Sequence, residues 1–249
     1  MVNVIINGAL GRMGKKVKEA VLSFKDVNAV CGVDTREDFS DKDFPVYSSF
    51  DDVTEKADVI IDFSAPACLP SVLSYAEKNK TGAVICTTGL TESDVKLIEN
   101  AAERIPVFRS ANMSLGVNVL INLVKKAAEL LCGFDVEIIE KHHNKKKDAP
   151  SGTALMIADE IKKVYPEKYY VYGREGICGA RKADEIGIHA IRGGNVVGEH
   201  DVLFLGENET VTLSHQATDR GVFAVGAVKA AIFLSGKQNG LYDMSDILK

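Results

Sequence analysis

What the chain lacks narrows its class before any motif is read. It has no excess of positive charge: 30 Lys and Arg stand against 35 Asp and Glu, a net charge of −5 over 249 residues. Wholesale binding to nucleic acid or to an anionic membrane needs a basic surface, so neither is expected. No apolar run approaches the roughly 18 residues of a membrane span. The opening MVNVIING has no basic segment ahead of its apolar residues and no cleavage-site pattern, so it reads as a strand and not as a secretory signal. Cysteine is sparse. Cys31, Cys68, Cys86, Cys132 and Cys178 are scattered, odd in number and never in C-x-x-C spacing. That argues against a disulfide framework and a zinc site, and fits reduced thiols in the cytoplasm. Internal repeats and a low-complexity linker are also missing. The expectation is a soluble cytoplasmic protein whose 46% hydrophobic residues fill one large core or two modest ones.

What is present falls into two grammars. The first hundred or so residues alternate strand and helix patterns: VNVIIN, NAVCGVD, ADVIIDFS, GAVICTTG and PVFRSAN read as strands. Met13, Val17, Val21 and Phe24 recur at helical spacing, LPSVLSYAEKN reads as a helix, and Thr91 can cap a helix over ESDVKLIENAAERI. Apolar strands bounded by helices predict a parallel sheet covered on both faces. Near Ser114 the grammar changes. A long helix, LGVNVLINLVKKAAELL, is followed by a strand, DVEIIEKHH, and a helix, TALMIADEIKKVY. From Gly187 a meander follows, with hairpin signals at Gly193-Gly194-Asn195 and Gly206-Glu207-Asn208. This predicts an α+β unit with an antiparallel or mixed sheet. A last helix, FAVGAVKAAIFLSGK, is rich in small residues and is expected to pack back on the first unit. The division is residues 1–113 with 222–249, and 114–221.

The first candidate site is NGALGRMG. Gly8, Gly11 and Gly14 lie between the first strand and its helix, where backbone without Cβ can approach a pyrophosphate and the helix N-terminus attracts it. Asp34 closes the second strand, placed to accept both ribose hydroxyls of an adenosine. That carboxylate should repel a 2′-phosphate and favour NAD(H), yet Arg12 and Arg36 are near enough in sequence to accommodate the phosphate, so both cofactors stay open. The strand ends Cys86-Thr87-Thr88-Gly89 and Ser110-Ala111-Asn112-Met113 fall where ligands sit in such sheets.

The second is EKHHNKKKDAPSGTA, Glu140 to Ala154, which concentrates two histidines and four lysines in an acidic chain. Adjacent residues on a strand face opposite ways, so at most one of His142 and His143 points into a given cleft unless the strand has ended. Either imidazole can give or take a proton near neutrality. Lys145, Lys146 and Lys147 supply cations. Ser151 reads as an N-cap, and the amides of Gly152 and Thr153 open a helix whose start attracts anions. Histidine, lysine and helix start on one loop suit a small substrate bearing carboxylates. No carboxylate-rich companion motif marks the histidines as metal ligands, so no metal is expected.

These residues resemble the 4-hydroxy-tetrahydrodipicolinate reductase (dihydrodipicolinate reductase) family, over nearly the whole chain. GALGRMG resembles its nucleotide loop, and E-x-H-H-x-x-K-x-D-A-P-S-G-T-A resembles its signature. REG, GNVVGEH (Gly194 to His200) and GLYDMSDIL resemble further family features. The resemblance implies a Rossmann-like domain of the N-terminal part plus the last helix, and an α+β substrate and tetramerisation domain. It implies NADH or NADPH as hydride donor, a homotetramer, and reduction of 4-hydroxy-tetrahydrodipicolinate in diaminopimelate and lysine biosynthesis. By position, His142 resembles the family's proton donor and Lys146 its partner lysine. His143, Gly152 and Thr153 resemble the substrate-carboxylate contacts. Gly8, Ala9, Leu10, Gly11, Arg12, Met13, Asp34, Cys86, Thr87, Thr88, Ser110, Ala111, Asn112 and Met113 resemble the cofactor contacts. Cys86 stands where the family's usual GTTG has glycine, Met113 where phenylalanine often follows the asparagine, and Thr35 where some members have arginine. Two rivals remain: another two-domain nicotinamide oxidoreductase, and a non-catalytic nucleotide sensor, which has no need of the His-His-Lys and Ser-Gly-Thr constellation.

Overall fold

The computed structural model describes residues 1–36 and 44–249. In chain order the elements are β1 (Val2–Asn7), α1 (Arg12–Leu22), β2 (Val27–Val33), β3 (Val46–Tyr47), β4 (Val59–Asp62), α2 (Leu69–Asn79), β5 (Gly82–Ile85), α3 (Glu92–Ala102), β6 (Pro106–Arg109) and α4 (Leu115–Leu130). They continue with β7 (Asp135–His142), α5 (Gly152–Val164), β8 (Tyr169–Tyr172), β9 (Glu185–Arg192), β10 (Gly198–Leu205), β11 (Thr210–Ala217), α6 (Gly221–Leu234), β12 (Gly240–Tyr242) and α7 (Met244–Ile247). The chain divides into two compact units, Met1–Leu115 with Arg220–Lys249, and Gly116–Asp219.

The first unit is a parallel sheet in the order β12-β6-β5-β4-β1-β2-β3. Its strand order reverses between β1 and β4, which run side by side with Asn7 opposite Asp62. Such a reversal opens a crevice at the carboxyl ends of the strands. The short runs VIID of β4 and GAVI of β5 are buried throughout, as strands covered on both faces must be. One face packs Ile5, Ile60, Val72 and Ile98 with α2 and α3; the other packs Val4, Ile61 and Val84 with α1 and α6. The expected return of the last helix is observed. Ala224, Ala227, Ala230 and Ala231 of α6 are buried, and a Cβ on Gly226 would collide with the carbonyl of Met113. Helix α3 starts on a reciprocal cap: Thr91 Oγ1 accepts the Asp94 N–H at 3.2 Å, and the Asp94 carboxylate accepts the Thr91 N–H at 2.8 Å.

The second unit is a five-stranded sheet in the order β11-β10-β7-β9-β8. It is mixed: β7 and β8 each run parallel to β9, whereas β10 is antiparallel to β7 and β11. Helices α4 and α5 cover one face around Val124, Ile157, Ile138, Ile188 and Phe204. Along β7 the burial alternates strictly, putting Val136, Ile138, Glu140 and His142 on the covered side. Cross-strand register places His200 opposite Glu140 and Arg192 opposite His142. The buried face is therefore apolar at one end and titratable at the other.

Candidate active site

The titratable end is built around Glu140, whose residue exposure is 0%. Arg192 grips both carboxylate oxygens at 2.7 Å, His142 Nδ1 donates at 2.6 Å, and the Ser151 N–H donates at 3.0 Å. Arg192 also donates to the Asp148 carbonyl at 2.7 Å. One buried carboxylate thus ties three things together: the end of β7, the loop that follows it and the start of α5. Ser151 caps that helix as expected, its Oγ accepting the Ala154 N–H at 3.2 Å. A Cβ on Gly152 would meet nothing within 4 Å, so the space over the helix start is open. Lys146 is half in the protein and pairs with Asp148 at 2.9 Å. Strand β7 ends at His142, so alternation no longer governs the partly buried His143, whose carbonyl accepts the Lys146 N–H at 3.1 Å.

The Glu140 contact fixes the tautomer of His142. A carboxylate can only accept here, so Nδ1 carries the hydrogen and Nε2 is the atom that exchanges a proton. A Cβ on Gly198 would come within 3.1 Å of that Nε2, so glycine leaves the ring its place. Burial depresses the proton affinity of His142 despite the pull of Glu140, and Lys146 and Arg192 add to the depression. Burial works against ionisation of Glu140, but the hydrogen bonds from Arg192, His142 and Ser151 outweigh it and hold the group below its ordinary value. His200 stacks edge-on to His142, ring centroids 5.3 Å apart, and exchanges a hydrogen bond with Ser151 Oγ at 3.0 Å. Its burial first, then the charge of His142, pushes its pKa down to about 4. The unfolded chain, with histidine near 6.5, therefore binds the extra proton between about pH 6.5 and pH 4, and stability falls as pH falls through that window. The expected loss from His200 is about 3 kcal/mol. Urea midpoints at pH 7 and pH 4.5 measure it: His200→Asn should flatten the difference, and an unchanged difference would remove His200 as its source.

In the first unit the glycine loop is shaped as a cradle. Gly8 has φ of +77°, and a Cβ on Gly14 would collide with the Gly8 carbonyl. Small residues here are a requirement of close helix–strand approach, and the donor set around the crevice fits a dinucleotide. One cavity, about 490 Å³, is lined by Asn7, Gly8, Gly11, Asp34, Thr35 and Arg36 among others. A second, about 530 Å³, gathers Arg12, Met13, Cys86, Thr87, Thr88 and Ser110 to Met113, with Phe63, Ser64, Arg220 and Phe223. Two of the expected cofactor residues, Ala9 and Leu10, are not among the residues that line either cavity. Ala9 is 7% exposed and belongs to the core, and Leu10 turns its N–H to Asp34 at 2.9 Å. Asp34 is further held by Arg36 through Nε at 3.0 Å and Nη2 at 2.9 Å. Burial alone would raise Asp34, but Arg36 and the Leu10 N–H keep it below the ordinary carboxylate value. Cys86 is a packing thiol: burial, then the charge of Asp62, raises its pKa well above the ordinary value.

Comparison with known proteins decides the family. Residues 2–113 match the model of the dihydrodipicolinate reductase N-terminus, and residues 116–248 that of its C-terminus. The chain belongs to the dihydrodipicolinate reductase family. It is 56% identical to 4-hydroxy-tetrahydrodipicolinate reductase of Caldanaerobacter subterraneus subsp. tengcongensis, covering 100% of this chain and 99% of the relative. It is 46% identical to the enzyme of the same name from Clostridium tetani, over 100% and 97%. A dipicolinate-bound dihydrodipicolinate reductase from Paenisporosarcina sp. TG-14 superposes with a TM-score of 0.82 at 27% identity, over 99% of each chain. The chain is accordingly an NAD(P)H-dependent oxidoreductase of diaminopimelate and lysine biosynthesis. Among the described residues no helix is long and apolar enough to cross a membrane.

Reading the sequence alone missed Glu140, Arg192, Ser64, Arg220 and Phe223, and gave Gly198 and His200 no role. Glu140 sits two positions before His142, the one local signal that could have marked it.

Proposed function

We propose that the first unit holds NADH and/or NADPH, and the second a small dicarboxylate heterocycle, 4-hydroxy-tetrahydrodipicolinate, which is reduced to tetrahydrodipicolinate with His142 as proton donor. The observation that carries this reading is the buried Glu140–His142 pair beside Lys146 and the Ser151-capped helix start. Gly8 and Gly11 to Met13 would receive the pyrophosphate, Asp34 the adenosine ribose, and Cys86 to Thr88 with Ser110 to Met113 the nicotinamide end. When bound, the reduced nicotinamide supplies the hydride. The chain's own part is to bind, orient and deliver one proton. The helix start at Gly152 and Thr153, with His143 and Lys146, would take the two substrate carboxylates. His142 is neutral-leaning before substrate arrives; a dianion against it raises its proton affinity, so proton and substrate enter together. The proton then leaves Nε2 for the charge developing on the substrate ring, while Nδ1–H stays on Glu140.

Cytoplasmic location and a homotetramer built on the second unit belong to the same reading. Its support is the scattered free cysteines and the face of the second sheet opposite α4 and α5, where Ile191 is 49% exposed.

A spectrophotometric assay tests the reading. NADH should be oxidised only when the condensation product of pyruvate and aspartate semialdehyde is present; no oxidation by protein that binds NADH would overturn it. In the same assay Asp34→Ala should raise KM for NADH by about tenfold and for NADPH less, because it also releases Arg36 toward a 2′-phosphate. Equal losses for both cofactors would remove Asp34 from the ribose.

A further inference from the structure

Asp62 is a buried charge that no step above uses. It is the last residue of β4, at the point where the strand order reverses, and its exposure is 0%. All of its side-chain partners are donors. Oδ1 accepts Asn7 Nδ2 at 2.7 Å, the Ser64 N–H at 3.1 Å and Ser64 Oγ at 2.6 Å; Oδ2 accepts Thr87 Oγ1 at 2.7 Å. Among the described residues no Lys, Arg or His pairs with it; the cations of the neighbouring cavity, Arg12 and Arg220, are not among its partners. The group these donors complement is the carboxylate, and it is left with its net charge. An unpaired charge at full burial is expensive and needs a reason.

Its surroundings supply one. Ser64 and Thr87, which bind the carboxylate, line the 530 Å³ cavity, as do its chain neighbour Phe63 and Cys86. Phe63, Met113 and Phe223 make much of that lining apolar. A charge behind such a wall is poorly screened. A neutral dihydronicotinamide that gives up a hydride loses both electrons of the C–H bond to the substrate carbon, and its ring keeps one positive charge; the proton for the substrate comes from elsewhere, so the balance leaves that ring cationic. We propose that Asp62 is a positioning and electrostatic residue of the cavity: its fixed negative charge favours the oxidised, cationic nicotinamide over the reduced, neutral one. Asp62 thereby lowers the barrier as positive charge develops and holds Thr87 and Ser64 in place at the wall. This rests on the reading of the cavity as the nicotinamide end of a dinucleotide site.

The test is binding, not turnover. Asp62→Asn is nearly isosteric. Its Oδ1 keeps three donors, and its Nδ2 can donate to Thr87 Oγ1, which turns to accept. At an effective dielectric of about 20, a unit charge even about 10 Å from the ring is worth more than tenfold in a binding constant. The chain has no tryptophan, so NADH fluorescence titrates without interference, and NAD+ is read by competition. In Asp62→Asn, Kd for NADH should stay within about threefold of the wild type while Kd for NAD+ rises about tenfold. Equal shifts for the two, or none, overturn the proposal. If Asp62→Asn does not fold, Asp62→Ser, which also removes the charge, is held to the same criterion. Failure of the wild type to bind NADH at all would instead sink the dinucleotide reading beneath it.

Discussion

His142→Gln lowers kcat by about 10²–10⁴-fold, the usual worth of a positioned general acid, and leaves NADH binding unchanged. Glutamine is the informative replacement because its amide can still donate to Glu140, whose Oε2 lies 2.6 Å from His142 Nδ1 in the wild type. The buried carboxylate then keeps its partners and only the transferable proton is lost. The pH profile separates this from a packing effect. In the free enzyme burial depresses His142 below its ordinary value, so the protonated form is the minority at neutral pH. In the wild type kcat/KM should therefore be highest below that depressed value and fall as pH rises through it. The variant should lose this limb and run flat over the same range. A variant with wild-type kcat, or with the same limb at lower amplitude, would take the proton away from His142.

The part of this site that could be read from residues is the part carried by local order. Ser151 caps α5 because a hydroxyl before Gly-Thr-Ala does so in most contexts, and the glycines of the nucleotide loop announce a tight strand–helix turn. The first unit follows from apolar runs separated by helical periods, and its parallel sheet is the one expected. The mixed second sheet is the one expected for the substrate domain, but which strands run parallel leaves no local trace, because the pairing of β7 with β9 crosses about fifty residues. The same distance hides Glu140. On the strand it alternates as any polar residue would, and only the register that brings Arg192 and His200 alongside shows it as the anchor of the loop. Strands β3 and β12, two and three residues long, are too short to carry a period, and exist because a neighbour's edge offers hydrogen bonds. Asp34 was expected from its place at the end of β2, but its two-point grip by Arg36, two residues on, depends on how the chain leaves that strand.

Arg192→Leu should destabilise the second unit by about 3–5 kcal/mol, the cost of leaving a buried charge without its partner. The surface pairs of the chain are a useful contrast: Lys126–Glu129 is solvated on both sides, and such pairs are worth at most about 1 kcal/mol. Glu140 is in the opposite situation. It has no exposure, and among the described residues Arg192 supplies two of its four hydrogen bonds and the permanent positive charge that pairs with it. Without the guanidinium the carboxylate must draw a proton or water into the site, and the Asp148 carbonyl loses its donor as well. Thermal unfolding of the full chain should show the transition belonging to the second unit fall by roughly 10 °C or more. The decisive comparison is the double variant. Glu140→Gln removes the orphaned charge, so Glu140→Gln with Arg192→Leu should recover part of the loss, giving a non-additive cycle. If Arg192→Leu melts within about 2 °C of the wild type, or if the two changes simply add, then Glu140 and Arg192 do not act as one buried pair, and the anchoring of His142 and Ser151 must come from elsewhere.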